Sequence, residues 1–235
     1  MVASPIKNLT QLEKAICECK KCPRLVKWTR DVAKEKRKSY ENEVYWGKPI
    51  PGFGDKKPEL LVIGLAPAAH GGNRTGRIFT GDRSGDWLFR AMHTAGFANQ
   101  AQSINKKDGL KLDNARVITA VRCAPPDNKP TIKERDTCSK WLDLEWKFIE
   151  KELKVVIALG SFAWKAAIDL FASQGFVAKD KVKFSHGSKI VFLRKNQEIT
   201  LLGSYHPSQQ NTFTGRLTEA MLDQIFGSAR KLISG

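Results

Sequence analysis

Five cysteines and four histidines are the residues with the widest chemical reach in this chain, and their spacing sorts them. Cys19-Lys-Lys-Cys22 is a C-x2-C pair, which lets two thiolates grip one metal centre from a tight turn, and Cys123 and Cys138 follow about a hundred residues later. Four thiolates suit zinc or an iron–sulfur cluster, and local spacing alone does not choose between them. Cys17 is left over, at a C-x-C spacing from Cys19 that is a less usual bite. An odd cysteine count also speaks against a disulfide framework. His206, in Ser204-Tyr205-His206-Pro207-Ser208, is a candidate hydrogen-bond donor. Asn128, in Asp127-Asn128-Lys129-Pro130, offers an amide that both donates and accepts. Asp82, in Phe79-Thr80-Gly81-Asp82, is either a reactive carboxylate or the N-cap of a helix starting near Gly85, with Ser84 as the competing cap. His70, His93 and His186 read as structural or surface residues.

The elements that must position these groups follow from the apolar pattern. Short continuous apolar runs at Leu60–Leu65, Val117–Val121, Val155–Leu159 and Leu201–Ser204 have the character of buried parallel strands, and Lys189–Leu193 makes a fifth. Helical patterns cover Asn8–Cys19, Arg24–Arg37, Gly85–Ala95, Ile132–Lys151, Ser161–Phe171 and Leu217–Ile233. Tyr45–Pro58 is Gly/Pro-rich and reads as an ordered loop. Strands alternating with helices predict an α/β fold, with helices on both faces of a mostly parallel sheet. The segments after the strands are polar or rich in Pro and Gly, and open α/β sheets bind ligands at those carboxyl ends. Gly71-Gly72-Asn73-Arg74-Thr75-Gly76-Arg77-Ile78 imitates a P-loop but carries Arg77 and Ile78 where Lys and Ser/Thr belong. No G-x-G-x-x-G follows a predicted strand either, so ATPase and dinucleotide readings fall.

Lys and Arg total 40 against 24 Asp and Glu, a net charge of +16. An excess of that size points to a polyanionic partner, because each cation laid on a phosphate releases a condensed counterion. The basic residues are spread along the chain, densest from Lys20 to Lys38. With 41% hydrophobic and 27% charged residues the composition is that of a soluble globular protein. No apolar run approaches the ~18–20 residues of a membrane span. The N-terminus lacks the apolar core of a signal peptide, so the cytoplasm is the expected location.

Gly64-Leu65-Ala66-Pro67-Ala68, Gly76-Arg77-Ile78-Phe79-Thr80-Gly81-Asp82, the Asn128 segment and Ser204-Tyr205-His206-Pro207-Ser208 together resemble the uracil-DNA glycosylase superfamily, in particular its type b branch (family 5). The resemblance runs from about Leu12 to about Leu232, and makes residues 1–235 one domain. It implies a three-layer α/β/α sandwich whose N-terminal helices are tied in by a [4Fe–4S] cluster on Cys19, Cys22, Cys123 and Cys138. It also implies hydrolytic excision of uracil, and of other deaminated bases such as hypoxanthine, from DNA by a monomer that leaves an abasic site.

That chemistry needs a flipped nucleotide, a flat stacking partner, a donor to the departing base and a polar group near the sugar. Phe79 is the stacking candidate, His206 the donor and Asn128 the reader of the base edge. Gly64, Leu65 and Ala66 line the pocket. Other branches of the superfamily place Asp, Asn or a neighbouring Glu in this first motif; Leu65-Ala66 can activate no water, which leaves Asp82 for that task. Ser84 and Ser208 lie in Gly/Ser-rich stretches whose backbone N–H groups can hold phosphates. Gln210–Arg216, with Asn211, reads as the loop that enters the duplex, Phe213 or Arg216 being the wedge. Two competing readings are a non-catalytic nucleic-acid-binding module stabilised by a metal cluster, and a zinc-stapled processing factor with an unrelated pocket.

Overall fold

The computed structural model describes residues 6–235. Among these residues a sheet of seven strands forms: β1 (Phe53–Gly54), β2 (Leu60–Gly64), β3 (Ala115–Thr119), β4 (Val155–Leu159), β5 (Val177–Ala178), β6 (Lys189–Arg194) and β7 (Gln197–Ser204). They lie in the order β1-β3-β2-β4-β7-β6-β5. The four central strands run parallel, with Val62 level with Val117 on one side and Ile157 on the other, and Ile157 in turn level with Leu202. The outer strands are antiparallel, so the sheet is mixed, parallel through its centre and antiparallel at both edges. The reason is local: β6 and β7 join through the two-residue turn Lys195-Asn196, Lys195 having φ 53°, and a turn that short permits only antiparallel pairing. Phe53–Gly54, inside the predicted loop, adds a strand too short to leave a pattern.

Side chains alternate across the central strands and build two apolar layers. Leu61, Ile63, Ile118, Val156, Ala158 and Leu201 pack against helices α1 (Leu9–Cys17), α5 (Ile132–Ile149) and α6 (Ser161–Ser173). Leu60, Val62, Val117, Val155, Ile157 and Leu202 pack against α4 (Arg83–Thr94) and α8 (Glu219–Ser234) on the other face. That is the three-layer α/β/α sandwich. Three shorter or peripheral helices complete it: α2 (Pro23–Glu35), α3 (Gly72–Thr75) and α7 (Gln209–Phe213). No helix among the described residues is long and apolar enough to cross a membrane.

The N-terminal helices are joined to the sandwich by charge. Glu145 of α5, 1% exposed, accepts from Arg116 of β3 at 2.7 Å and from Arg122 at 2.6 Å, and Arg116 also reaches Glu13 of α1 at 2.8 Å. Burial alone would raise the Glu145 carboxyl; the two guanidinium groups reverse this and hold it below its ordinary value. At the start of α5 a capping box formed by Thr131 and Glu134 sets the helix, and Glu134 also takes a two-pronged bond from Arg24 of α2.

Replacing Glu145 by Ala leaves two buried guanidinium groups short of a counter-charge, and unfolding in denaturant is expected to show a loss of about 3–5 kcal/mol. Removing Asp31, whose pair with Lys27 lies on the surface of α2, is expected to leave stability unchanged within error.

Candidate active site and cysteine pocket

Parallel pairing carries the ends of β2, β3, β4 and β7 to one edge of the sheet. The ladder continues past β2, with Ala120 N–H bonded to Gly64 O and Val121 N–H to Leu65 O, so the first motif is held like a strand before it turns away. A cleft of about 960 Å³ opens there, lined by Leu65, Ala66, Phe79, Asp82, Ser84, Asn128, His206, Ser208, Asn211 and Arg216 among others. Leu65 and Ala66 bring no polar side chain to it.

Phe79 sits at φ 50°, in the left-handed region that costs a non-glycine residue about 1–3 kcal/mol. Close packing enforces it. A Cβ on Gly64 would stand 2.6 Å from the Phe79 ring, and one on Gly85 would stand 2.0 Å from its carbonyl oxygen. Two arginines bolt the surrounding loop. Arg77, 5% exposed, donates to Thr80 and to both oxygens of Asp108, while Arg74 donates to the carbonyls of His70 and Gly81. Burial works to raise the Asp108 carboxyl, but Arg77 and three backbone N–H groups hold it down at about 2. The arginines that spoil the P-loop pattern are therefore clamps.

Asp82 is the N-cap of α4, its Oδ1 accepting from Gly85 N–H at 3.0 Å. Its other oxygen packs against Gly71, where a Cβ would come within 1.9 Å. Burial pushes the carboxyl up to about 6, against the pull of the Gly85 and Ser84 N–H groups. The His206 ring lies 5.9 Å from the Phe79 ring at an interplanar angle of 32°. Burial pushes it down to about 4, so it is a neutral imidazole at pH 7, and neither ring nitrogen has a partner among the described residues. Its loop is braced by Asn211, whose amide donates to His206 O at 2.8 Å, and by Ser208, whose hydroxyl accepts from Asn211 N–H at the start of α7. The polar side chains of Ser208 and Asn211 are thus engaged within the loop.

Asn128 stands exposed at the mouth with φ 55°, beside Asp127 at φ 54°. Phe213 lies outside the cleft lining, 67% exposed, with the Arg83 guanidinium 4.4 Å from its ring; Arg216 lines the cleft, 4.6 Å from the Tyr205 ring. Trp28, Arg37, Tyr40, Phe184 and His70 also line it. Only His70 and Arg37 carried any signal in the sequence: His70 follows a strand end but read as structural, and Arg37 lies in the basic stretch from Lys20 to Lys38. His70 in fact bonds Tyr45 Oη through Nδ1 at 3.0 Å.

Cys19, Cys22, Cys123 and Cys138 line a second, small pocket with Leu25, Arg122 and Trp141, and all four are free thiols. Cys17 lies outside it. Trp141 Nε1–H and the Arg122 backbone N–H each donate to a sulfur, on Cys19 and Cys138, at 3.3 Å. Burial raises the Cys123 and Cys22 thiols, and pushes Cys138 up to about 11. Among the described residues no three of His, Cys, Asp or Glu stand close enough to hold a single metal ion. The donor set is nevertheless all-sulfur, gathered from three parts of the chain and furnished with N–H···S bonds. An all-thiolate set of this kind suits zinc or an iron–sulfur cluster.

The sandwich, with its site at the carboxyl ends of parallel strands, matches what comparison of the sequence finds. The family described as Uracil DNA glycosylase superfamily matches residues 51–230, and the chain belongs to it. Within that family the chain is similar to type-5 uracil-DNA glycosylases. The one from Mycobacterium leprae (strain TN) is 49% identical over 232 residues, covering 99% of each chain. The one from Mycobacterium bovis is 50% identical over 225 residues, 96% of this chain and 82% of its own. That of Thermus thermophilus is 42% identical over 214 residues, 91% and 93%.

The half-buried Asp82 makes a prediction that needs no substrate. A carboxyl raised from about 3.9 when unfolded to about 6 when folded favours the fold below the lower value and loses that contribution as pH rises through the upper one. Asp82→Asn keeps a good N-cap and has nothing to ionise. Its thermal midpoint is expected to gain on the parent between pH 4 and pH 7 and to hold a constant lead above that. A pH-independent difference would contradict the burial of this charge.

Proposed function

We propose that the chain is a monofunctional DNA repair glycosylase, which hydrolyses the N-glycosyl bond of uracil in DNA and leaves an abasic site. The observation that carries the mechanism is the convergence of Phe79, Asp82 and His206 on one cleft at the ends of parallel strands. A flipped uracil lies against Phe79, whose strained backbone keeps the ring from following it. As the C1′–N bond lengthens, negative charge gathers on the base and positive charge on the sugar. A neutral His206 donates its one ring N–H to a base oxygen, a bond that strengthens with that charge and so lowers the barrier. Asp82, with one oxygen committed to the helix cap, uses the other to orient water toward C1′ and to take its proton as the new C1′–O bond forms. The departing base anion is then protonated from solvent. Asn128 reads the base edge from the mouth.

The apolar Leu65-Ala66 pair leaves no buried donor or acceptor unpaired when a wrong base enters, so discrimination is loose and hypoxanthine is a second substrate. DNA is held by the backbone around Ser84 and Ser208 and by Arg216, while Phe213, exposed on α7, is the wedge. Cys19, Cys22, Cys123 and Cys138 would hold a [4Fe–4S] cluster, which supplies a structural cross-link between the N-terminal helices and the sheet and no electron, since the hydrolysis transfers none.

His206→Ala is expected to lower kcat for uracil excision about 10²–10³-fold, and Asp82→Asn about 10²–10⁴-fold. In the parent, log kcat should rise with unit slope below pH 6 and level off above it, because only the ionised Asp82 accepts a proton. Full activity in Asp82→Asn would reduce this carboxylate to a helix cap. For the cysteine pocket, anaerobically purified protein is expected to be brown, with about four irons per chain. Cys138→Ser is expected to lose the colour and melt at lower temperature. Stoichiometric zinc in colourless protein would contradict the cluster.

A further inference from the structure

The turn that brings His206 to the cleft is held mostly from within. The Ser204 hydroxyl donates to Tyr205 O at 3.0 Å, and His206 O accepts from Ser208 N–H and from the Asn211 amide, each at 2.8 Å. Tyr205 N–H is the first amide beyond the end of β7, and its acceptor comes from elsewhere: His186 Nδ1, at 3.3 Å. Among the described residues, His186 is the one side chain from outside Ser204–Asn211 that bonds the Tyr205-His206 backbone.

The segment that carries His186 is itself fixed to the sheet. Gly187 N–H donates to Gly203 O at 2.9 Å and Gly203 N–H donates to Ser188 O at 2.8 Å, while Ser185 N–H bonds the Ser188 hydroxyl at 2.9 Å. The approach is close enough that a Cβ on Gly203 would stand 2.8 Å from Ser185 O. The His186 ring lies 5.3 Å from the Tyr205 ring at 45°, and Tyr205 also meets Phe184 edge-on at 6.2 Å and the Arg216 guanidinium at 4.6 Å. Tyr205, Phe184 and Arg216 line the cleft, and His186 stands behind them. Nδ1 accepts only while it carries no proton, so a neutral His186 has its proton on Nε2. Burial holds the ring below its ordinary value, against the pull of the Met221 carbonyl on α8, which is an acceptor for that proton.

We infer that His186 is a positioning residue for base excision: by accepting the Tyr205 N–H it fixes the peptide that aims the His206 ring into the cleft. It touches neither base nor sugar and acts only through His206. Without that acceptor the Tyr205 amide must turn to find another partner. A displacement of about 1 Å at a reacting group costs up to about 10²-fold in rate. This inference rests on the proposed role of His206.

Two substitutions separate the hydrogen bond from the ring. His186→Phe keeps a ring against Tyr205 and removes the acceptor; His186→Asn gives up the ring and returns an acceptor, its amide oxygen, near the place of Nδ1. On a uracil-containing duplex, kcat is expected to fall about 10–10²-fold in His186→Phe and to be largely restored in His186→Asn, with KM unchanged in both. In a His206→Ala background His186→Phe is expected to cost nothing further, because the group it positions is gone. A readout without substrate is the imidazole signal of His206 in isotope-labelled protein at neutral pH, identified by its loss in His206→Ala. It is expected to shift in His186→Phe and to keep its parental position in His186→Asn. Parental kcat in His186→Phe, an equal loss in His186→Asn, or the same loss repeated in the His206→Ala background would each overturn the inference. Absence of uracil excision by the parent would instead overturn the proposed activity, and the His206 signal would still decide whether His186 holds that turn.

Discussion

Parallel pairing of β3, β2, β4 and β7 is the constraint on which the site depends. It sends four chain segments out of the sheet at the same edge, so Leu65-Ala66, Asn128, Gly160 and His206, far apart in sequence, become walls of one cleft. The strands can be parallel because both faces are covered, by α1, α5 and α6 on one side and α4 and α8 on the other. The Glu145 hub serves the same end from within: one buried carboxylate joins α5 to β3 and to the segment carrying Cys123. Geometry imposed by the sheet thus precedes any chemistry at its edge.

At that edge the fold holds groups in states they would not adopt in water. Phe79 is kept at positive φ, the Asp82 carboxyl is raised to about 6, and the His206 imidazole is lowered to about 4. Burial causes both shifts, and it moves an acid and a base in opposite directions by disfavouring charge on each. The result is a carboxyl that titrates near neutrality in the same cleft as an imidazole without charge. The Arg74 and Arg77 clamps offset the strain of the loop that carries Phe79.

Much of this was legible in the sequence where the signal is continuous or chemically marked. Uninterrupted apolar runs disclosed the central strands, and the cysteine spacing disclosed a shared pocket. The strand ends disclosed where the cleft would lie. Signals confined to two residues were lost, as at Phe53–Gly54 and Val177–Ala178, and so was the antiparallel edge set by the Lys195-Asn196 turn. Partnerships between distant residues were invisible too: nothing in the segment Ser103–Gly109 marks Asp108 as the counter-charge of Arg77. Asp82 was legible as a choice between a cap and a reactive carboxylate. The structure makes it a cap through Oδ1, with Oδ2 packed against Gly71.

The account stands most directly on whether the base leaves. Parent protein mixed in excess with a duplex bearing one central uracil, and sampled for free base by mass spectrometry, should release one equivalent of uracil in a single exponential. The strand should stay intact until alkali breaks it at the abasic site. Saturated binding of that duplex with the uracil still attached would contradict the account and favour a nucleic-acid-binding module.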